Sequence, residues 1–205
     1  MKDKIIETAG DLFMKYGVRS VTMDDIAREN AISKKTIYQF FKDKDDVVNH
    51  VAALHLEHEK REYDEIHSSS HNALEELAKI NHCIRKNFRE MNPSLLYDLQ
   101  KYHREAWNIF EEFKHVYIKN SVADNLRKGI AQGHFRSDID PEIMANFRVE
   151  VVEMAFNESI FPQEKFDFRS VQMQLFDHYV QGIVTEEGRR LYEEYLEKEN
   201  ELDNT

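Results

Sequence analysis

The sequence is poor in the residues that build several common architectures. It has one cysteine, Cys83, in 205 residues, which excludes an intramolecular disulfide and a multi-cysteine zinc site and fits a reducing compartment. Three prolines and six glycines are too few for a β-sandwich or barrel, whose strands need a turn every ~10 residues. No run approaches the roughly 18 apolar residues of a membrane span. Glu7 and Asp11 interrupt any apolar stretch that could act as a signal peptide. Basic charge is in deficit too, because 28 Lys and Arg against 39 Asp and Glu leave a formal net charge of −11. Yet 41% of the residues are hydrophobic, enough to bury a core in one or two domains. An all-α, cytoplasmic protein that does not enter the membrane is the expectation.

The charge is unevenly spread. Residues 1–50 carry nine Lys/Arg and nine Asp/Glu, so the whole −11 belongs to the rest of the chain. Between Asn30 and Lys42 there is no acid at all, while Lys34, Lys35 and Lys42 fall there among hydroxyl and aromatic residues. A basic window on an acidic body suggests contact with nucleic acid, although short basic windows are also common on solvated helix faces.

Periodicity outlines four helices in this part. Ile5, Ile6, Ala9, Leu12, Phe13 and Tyr16 recur at the spacing of one helical face, and Gly17 is placed to stop that helix. Thr22 and Asp25 form a cap three residues apart ahead of Met23, Ile26 and Ala27, and Asn30, tolerant of a left-handed backbone, can end the short helix. Ser33 caps a third helix, Lys34 to Phe41, with Ile37, Phe40 and Phe41 on the apolar side and Lys35, Tyr38, Gln39 and Lys42 opposite. Asp43 caps a fourth that carries Val47, Val48, Val51 and Leu54. Two short capped helices joined by a tight turn, between two longer ones, are the outline of a helix-turn-helix.

The remainder reads as helical throughout. The fourth helix runs toward the serines at 68–70. A helix from Ala73 to about Glu90 is closed by Pro93, and one from Leu95 to Gln132 is interrupted near Tyr102 and ended by Gly129 and Gly133. Pro141 opens a helix to about Ser159, Phe161-Pro162 breaks the chain, and helices follow from Asp167 to about Thr185 and from Glu186 to about Lys198.

Ala9-Gly10-Asp11-Leu12-Phe13, Tyr16-Gly17, Val21 to Ala27, Ile32 to Phe41 and Lys42-Asp43-Lys44 together resemble the DNA-binding domain of TetR-family transcriptional regulators. The likeness covers roughly residues 3–50 and links residue types at many positions. The departure is Asn30-Ala31, where the family commonly has a small residue followed by glycine. The resemblance implies an N-terminal three-helix helix-turn-helix domain, residues 1–46, joined by a connecting helix to a helical ligand-binding and dimerisation domain, residues 47–205. It implies that Lys34, Lys35 and Gln39 face base edges, while Thr22, Thr36, Tyr38 and Lys44 meet phosphates. The implied partners are a double-stranded DNA operator of near-palindromic sequence, a second copy of the chain and a small-molecule effector, with no cofactor. A repressor is the expected sense of regulation.

In the body, the helix from Pro141 and the one from Asp167 carry apolar residues on more than one side, which implies burial against both the core and a partner. Phe147, Val151, Val171, Leu175, Tyr179 and Ile183 are the candidate dimer residues. An aromatic-rich segment with a few polar tips suits a ligand pocket, so Tyr97, Tyr102, His103, Trp107, Phe110 and Phe147 are its candidate lining, although the same residues could simply fill a core.

Two alternatives remain at this level. Ten histidines, among them His55 and His58 one turn apart with His50, His67, His71 and His82-Cys83, admit a metal-sensing regulator if three or four converge. A non-DNA-binding helical interaction protein is the other. An enzyme is disfavoured: no nucleotide-binding glycine loop, nucleophile elbow or zinc-protease signature occurs, and a di-iron bundle would need a second Glu-x-x-His beside Glu112-Phe-Lys-His115.

Overall fold

The computed structural model describes residues 1–92, 94–162 and 164–202. Regular structure among these is helical: α1 Lys2–Tyr16, α2 Met23–Glu29, α3 Lys34–Ile37, α4 Lys44–Ser69, α5 Ala73–Glu90, α6 Leu95–Tyr102, α7 Arg104–Glu112, a π-helical turn Phe113–Ile118, α8 Lys119–Ala131, α9 Pro141–Met154, α10 Phe168–Ile183 and α11 Glu186–Leu202. The expected interruption near Tyr102 is present as the break between α6 and α7 at His103. Pro93, expected to close α5, lies outside the described residues. No described helix is long and apolar enough to cross a membrane.

The chain forms two compact units. One comprises Met1–Lys60 with Glu90–Phe113, the other Arg61–Arg89 with Lys114–Thr205. The expected boundary at residue 46 therefore falls near the start of a continuous helix, α4, and the first unit takes in α6 and α7 as well.

In the first unit, Ile5, Ala9 and Phe13 of α1, Ile26 and Ala27 of α2, Ile37 and Phe41 around α3, and Val47 and Val48 of α4 form the core. Tyr16 and Phe40, expected on apolar faces, are instead exposed, at 49% and 38%. Ile37 and Phe41, one helical turn apart, already fill the space beneath α3, and Phe40 between them points outward. Gly17 ends α1 at φ 79° as expected, its N–H donating to the Phe13 carbonyl.

The second unit centres on Leu74, Leu77, Ala123, Leu126, Phe135, Ala145, Phe176, Tyr179, Val180, Ile183 and Tyr192. Asp140 accepts from the backbone N–H groups of Glu142 and Ile143, with Pro141 at the first helical position, so α9 starts as anticipated. It ends at Met154, five residues early, because Asn157 accepts from Ile160 and Phe161 in a separate turn. Gly129 does not stop α8. It lies inside the helix, where a Cβ would stand 2.1 Å from the Phe135 ring, so glycine there makes room for a buried aromatic. Gly133, at φ 75°, follows the helix end.

Glu76 is 1% exposed in this core and fully paired. His67 Nδ1 lies 2.7 Å away, Asn125 Nδ2 donates at 2.7 Å and Lys128 Nζ at 3.1 Å. Burial works to raise the Glu76 carboxyl, but these three donors together hold it below its ordinary value.

Candidate nucleic-acid interface

Local hydrogen bonding builds the interface around α2 and α3. The Thr22 hydroxyl accepts from the Asp25 N–H at 3.2 Å, and the Asp25 carboxylate accepts from the Thr22 N–H at 2.9 Å, a reciprocal capping box. The Thr22 hydroxyl also donates to that carboxylate at 2.6 Å. These contacts, with Arg28 at 2.5 Å, lower the Asp25 pKa to about 2. The turn between α2 and α3 then closes by two backbone bonds, Ile32 N–H to Ala27 O at 3.0 Å and Ala31 N–H to Arg28 O at 3.1 Å. This is the Schellman arrangement, with a left-handed residue just past the cap.

That left-handed residue is Ala31, at φ 54°, and not Asn30, which stays right-handed at φ −81°. The reason lies in the Asn30 side chain, which is buried and occupied. Its Nδ2 donates to the Ile26 carbonyl at 3.0 Å, and its Oδ1 accepts from the Thr8 hydroxyl at 3.2 Å. Asn30 thus ties α2 to α1, and the turn passes to the next residue.

Ser33 caps α3 by accepting from the Thr36 N–H at 3.1 Å. The α-helix proper is one turn, Lys34–Ile37, shorter than the expected Lys34 to Phe41; tighter bonds of Gln39 to Thr36 O and Phe40 to Ile37 O carry the coil on to Phe41. Buried Ile37 and Phe41 orient this segment, and Lys34, Lys35, Tyr38 and Gln39 all reach solvent. Lys35 and Gln39 are one turn apart on the exposed side. Thr36 is half-buried, its hydroxyl 2.8 Å from that of Ser33.

Two of the expected contact lysines also have partners within the chain. Lys34 Nζ pairs with Asp24 at 2.9 Å, which raises its pKa, but both groups are exposed and the pair is open to exchange for a phosphate. Lys44 is different. Its ammonium donates to the Val18 carbonyl at 2.6 Å, and burial lowers its pKa, so it fastens the loop after α1 to the start of α4. Asp24 was the partner that sequence reasoning missed; its position at the exposed start of α2 was the available signal.

Behind the reading surface, the α6–α7 break is fastened within the same unit. His103 Nδ1 lies 2.9 Å from Asp45, Asn49 donates to Glu105 at 2.6 Å, and the Arg19 guanidinium stacks 4.9 Å from the Tyr102 ring centre. Tyr102 and His103 therefore serve contacts with α4 and the α1–α2 loop rather than an apolar wall. Tyr97, half-buried, accepts from Lys101 at 2.8 Å, and Trp107 packs on Phe110 with ring centres 5.1 Å apart. These five pocket candidates belong to the first unit and Phe147 to the second.

Among the dimer candidates, Val151, Val171, Tyr179 and Ile183 are at most 7% exposed within a single chain, and Leu175 is half-buried. They pack in the chain's own core, because α10 turns both of its apolar stripes inward and shows Ser170, Gln174, His178 and Gln181 outside. Phe147 is 47% exposed and Ile143 66%, and both lie with Glu150 on the outer side of α9. Among the described residues no group of three or more His, Cys, Asp or Glu is arranged to hold a metal ion. His50 instead contacts Lys2 at 2.9 Å and the Asp46 carbonyl at 2.8 Å, and His71 contacts Glu75 at 2.9 Å.

An exposed, capped α3 set on a buried two-residue anchor after a tight turn, joined to an all-helical body, defines a helix-turn-helix DNA-binding protein. Residues 5–51 match the family described as "Bacterial regulatory proteins, tetR family". The HTH-type transcriptional regulator YhgD of Bacillus subtilis is 28% identical over 154 residues, covering 70% of this chain and 76% of its own. The HTH-type transcriptional repressor KstR2 of Mycolicibacterium smegmatis is 24% identical over 153 residues, covering 71% and 73%. A transcriptional regulator from Cytophaga hutchinsonii has the same fold, with a TM-score of 0.70 at 23% identity over 89% of this chain and 98% of its own. FadR from Bacillus subtilis, solved in complex with stearoyl-CoA, aligns with a TM-score of 0.62 at 18% identity over 89% and 100%. Residues 5–51 thus resemble the DNA-binding domain of tetR-family regulators, and the relatives matched along most of the chain are HTH-type transcriptional regulators.

Proposed function

We propose that this regulator is a repressor that binds a near-palindromic operator as a homodimer and is released by a small molecule. The observation that carries the reading is the α3 surface, where Lys35 and Gln39 stand exposed one turn apart beside Tyr38. Lysine donates to guanine O6 and N7, and glutamine pairs with adenine, so these two read bases. Thr22, Thr36 and Tyr38 supply hydroxyls to phosphates, and Lys34 joins them when it exchanges Asp24 for DNA. Lys44 holds the domain together and adds its charge nearby.

One such helix makes too few contacts for tight, specific binding, and two on one dimer reach successive major grooves ~34–36 Å apart. The outer side of α9, with Ile143 and Phe147, supports the dimer. KstR2, a repressor by name, supports the sense of regulation. An effector would act by moving α4 and changing the separation of the two reading helices; equal half-site separations in free and effector-bound dimers would rule that out.

The test is a salt titration of binding to DNA from the gene's upstream region. Wild type should lose affinity linearly in log–log form with a slope of about −0.9 per phosphate contacted. Lys35→Ala should relax base preference by about 1–3 kcal/mol at one position if it reads a base, or reduce the slope by about 1 if it meets a phosphate. Binding that ignores Lys35→Ala/Gln39→Ala, at every sequence offered, would remove α3 as the reading element.

A further inference from the structure

Among the described residues, the second unit holds its buried charges in pairs, with one exception. Glu76 has three donors, and Lys114, 2% exposed, bonds to Glu153. Arg148 of α9 is also buried, at 7% exposure, yet its Nη1 has no hydrogen-bond partner and no described carboxylate lies within ion-pair distance. Its guanidinium lies 4.8 Å from the ring centre of Phe176 and 5.9 Å from that of Tyr179, with Tyr63 close enough to act on its charge. Aromatic faces offset part of the desolvation of a cation, but they do not satisfy five N–H donors aligned in a plane. Arginine stays charged even when buried.

The direction of the side chain matters. Ala145, Arg148 and Val149 lie on the core-facing side of α9, whereas Ile143, Phe147 and Glu150 face out. A carboxylate from a second copy, docked on the outer side, would meet the wrong stripe. A ligand completing this site would have to enter the body itself and be anionic at one end. Because a single guanidinium offers one fork of parallel donors, a carboxylate matches it in charge and shape. The aromatic surroundings suit an apolar remainder.

We propose that Arg148 is the anion-binding residue of the effector site, and that the effector is an amphipathic monocarboxylate whose apolar part packs among Tyr63, Phe176 and Tyr179. This rests on the reading that the body takes a small-molecule effector. An aliphatic and an aromatic acid share the chemistry, so the experiment uses both. Full-length protein is titrated by calorimetry with decanoate and phenylbutyrate and with their neutral counterparts decanol and phenylbutanamide. The titrations are repeated with Arg148→Met, which keeps the side chain's bulk, and with Arg148→Lys. Operator release is followed in parallel, on DNA recovered by selection from random duplexes.

At least one carboxylate should bind wild type and release it from DNA, and the neutral counterpart should bind much more weakly. Arg148→Met should weaken carboxylate binding at least ~30-fold, leave affinity for the operator unchanged and raise the melting temperature, since it removes an unpaired buried charge. Equal carboxylate binding by wild type and Arg148→Met would overturn the assignment. So would the absence of carboxylate binding in wild type; if a neutral or cationic compound then released the operator, the effector reading would stand and only this inference would fall. A dimer that dissociates in Arg148→Met, with no carboxylate effect, would assign the counter-ion to the second copy and equally overturn it.

Discussion

Replacing Ala31 by glycine is a change of one exposed methyl group at a position whose backbone is fixed by its neighbours. Ala31 sits at φ 54° because the Schellman bonds from Ala31 and Ile32 to the end of α2 demand a left-handed residue there. An L-residue in that conformation is strained by roughly 1–2 kcal/mol relative to the right-handed one. Glycine escapes the strain but loses about 0.5–1 kcal/mol more backbone entropy on folding. The methyl is exposed, so its removal opens no cavity. The difference leaves Ala31→Gly more stable by about 0.5–1 kcal/mol, which in a chain of this size raises the melting temperature by ~1–4 °C. Urea unfolding followed by circular dichroism, with calorimetry beside it, reads the change. Asn30→Ala is the contrasting variant, since it strips the bonds to Thr8 and Ile26, and it should cost about 1–3 kcal/mol. If Ala31→Gly were neutral or destabilising while Asn30→Ala behaved as stated, the strain argument would be refuted. Operator affinity should be the same for Ala31→Gly and wild type, because no reading residue moves.

Three further outcomes follow from the second unit. Gly129→Ala should destabilise by about 1–3 kcal/mol, since its methyl would collide with the buried Phe135 ring; a measured change below 0.5 kcal/mol (approximately the noise of surface substitutions) would mean the ring can yield. Glu76→Ala should cost about 1–3 kcal/mol, because it removes the buried acceptor shared by His67, Asn125 and Lys128 while Asn125 keeps the Ala73 carbonyl and Lys128 reaches solvent, and thermal melts read it. The pH dependence of that network has two limbs: the Glu76 part is present above the carboxyl's ordinary 4.5 and lost as pH falls through its lowered value. The His67 part, whose pKa the Glu76 hydrogen bond raises, is complete below the ordinary 6.5 and lost as pH rises through the raised value. Stability that differs between wild type and Glu76→Ala by the same amount at every pH would contradict both limbs. Phe147→Glu should weaken the dimer by about 2 kcal/mol or more, a ~30-fold rise in the dissociation constant by sedimentation; an unchanged dimer would move the interface off the outer side of α9.

The DNA-binding half was legible because its signals are local. Thr22/Asp25, Ser33 and Asp43 act on the backbone within three residues, and a cap at such spacing reads directly from sequence. Ile37 and Phe41 followed from helical spacing. Phe40 did not, because spacing alone cannot say which of two adjacent aromatics the core accepts. The same limit appears at Asn30. Its tolerance of the left-handed backbone was visible, but its use by Thr8, 22 residues away, was not. In the body, two apolar stripes on α10 suggested a partner, and the chain's own helices cover both. The burial of Arg148 without a counter-ion needed the fold, because helical spacing does not say which side of α9 the body covers.

The central claim, that α3 reads a two-fold symmetric DNA site, is tested most directly by selection from random duplexes with the full-length wild type and the Lys35→Ala/Gln39→Ala variant side by side. Wild type should recover one near-palindromic sequence with half-sites one helical turn or a multiple apart, bound about a thousand-fold or more over random DNA (the lower end for specific regulators), and the variant should lose that preference while keeping weak, salt-sensitive binding. Failure of wild type to enrich any sequence, or enrichment of the same site by both proteins, would contradict the account.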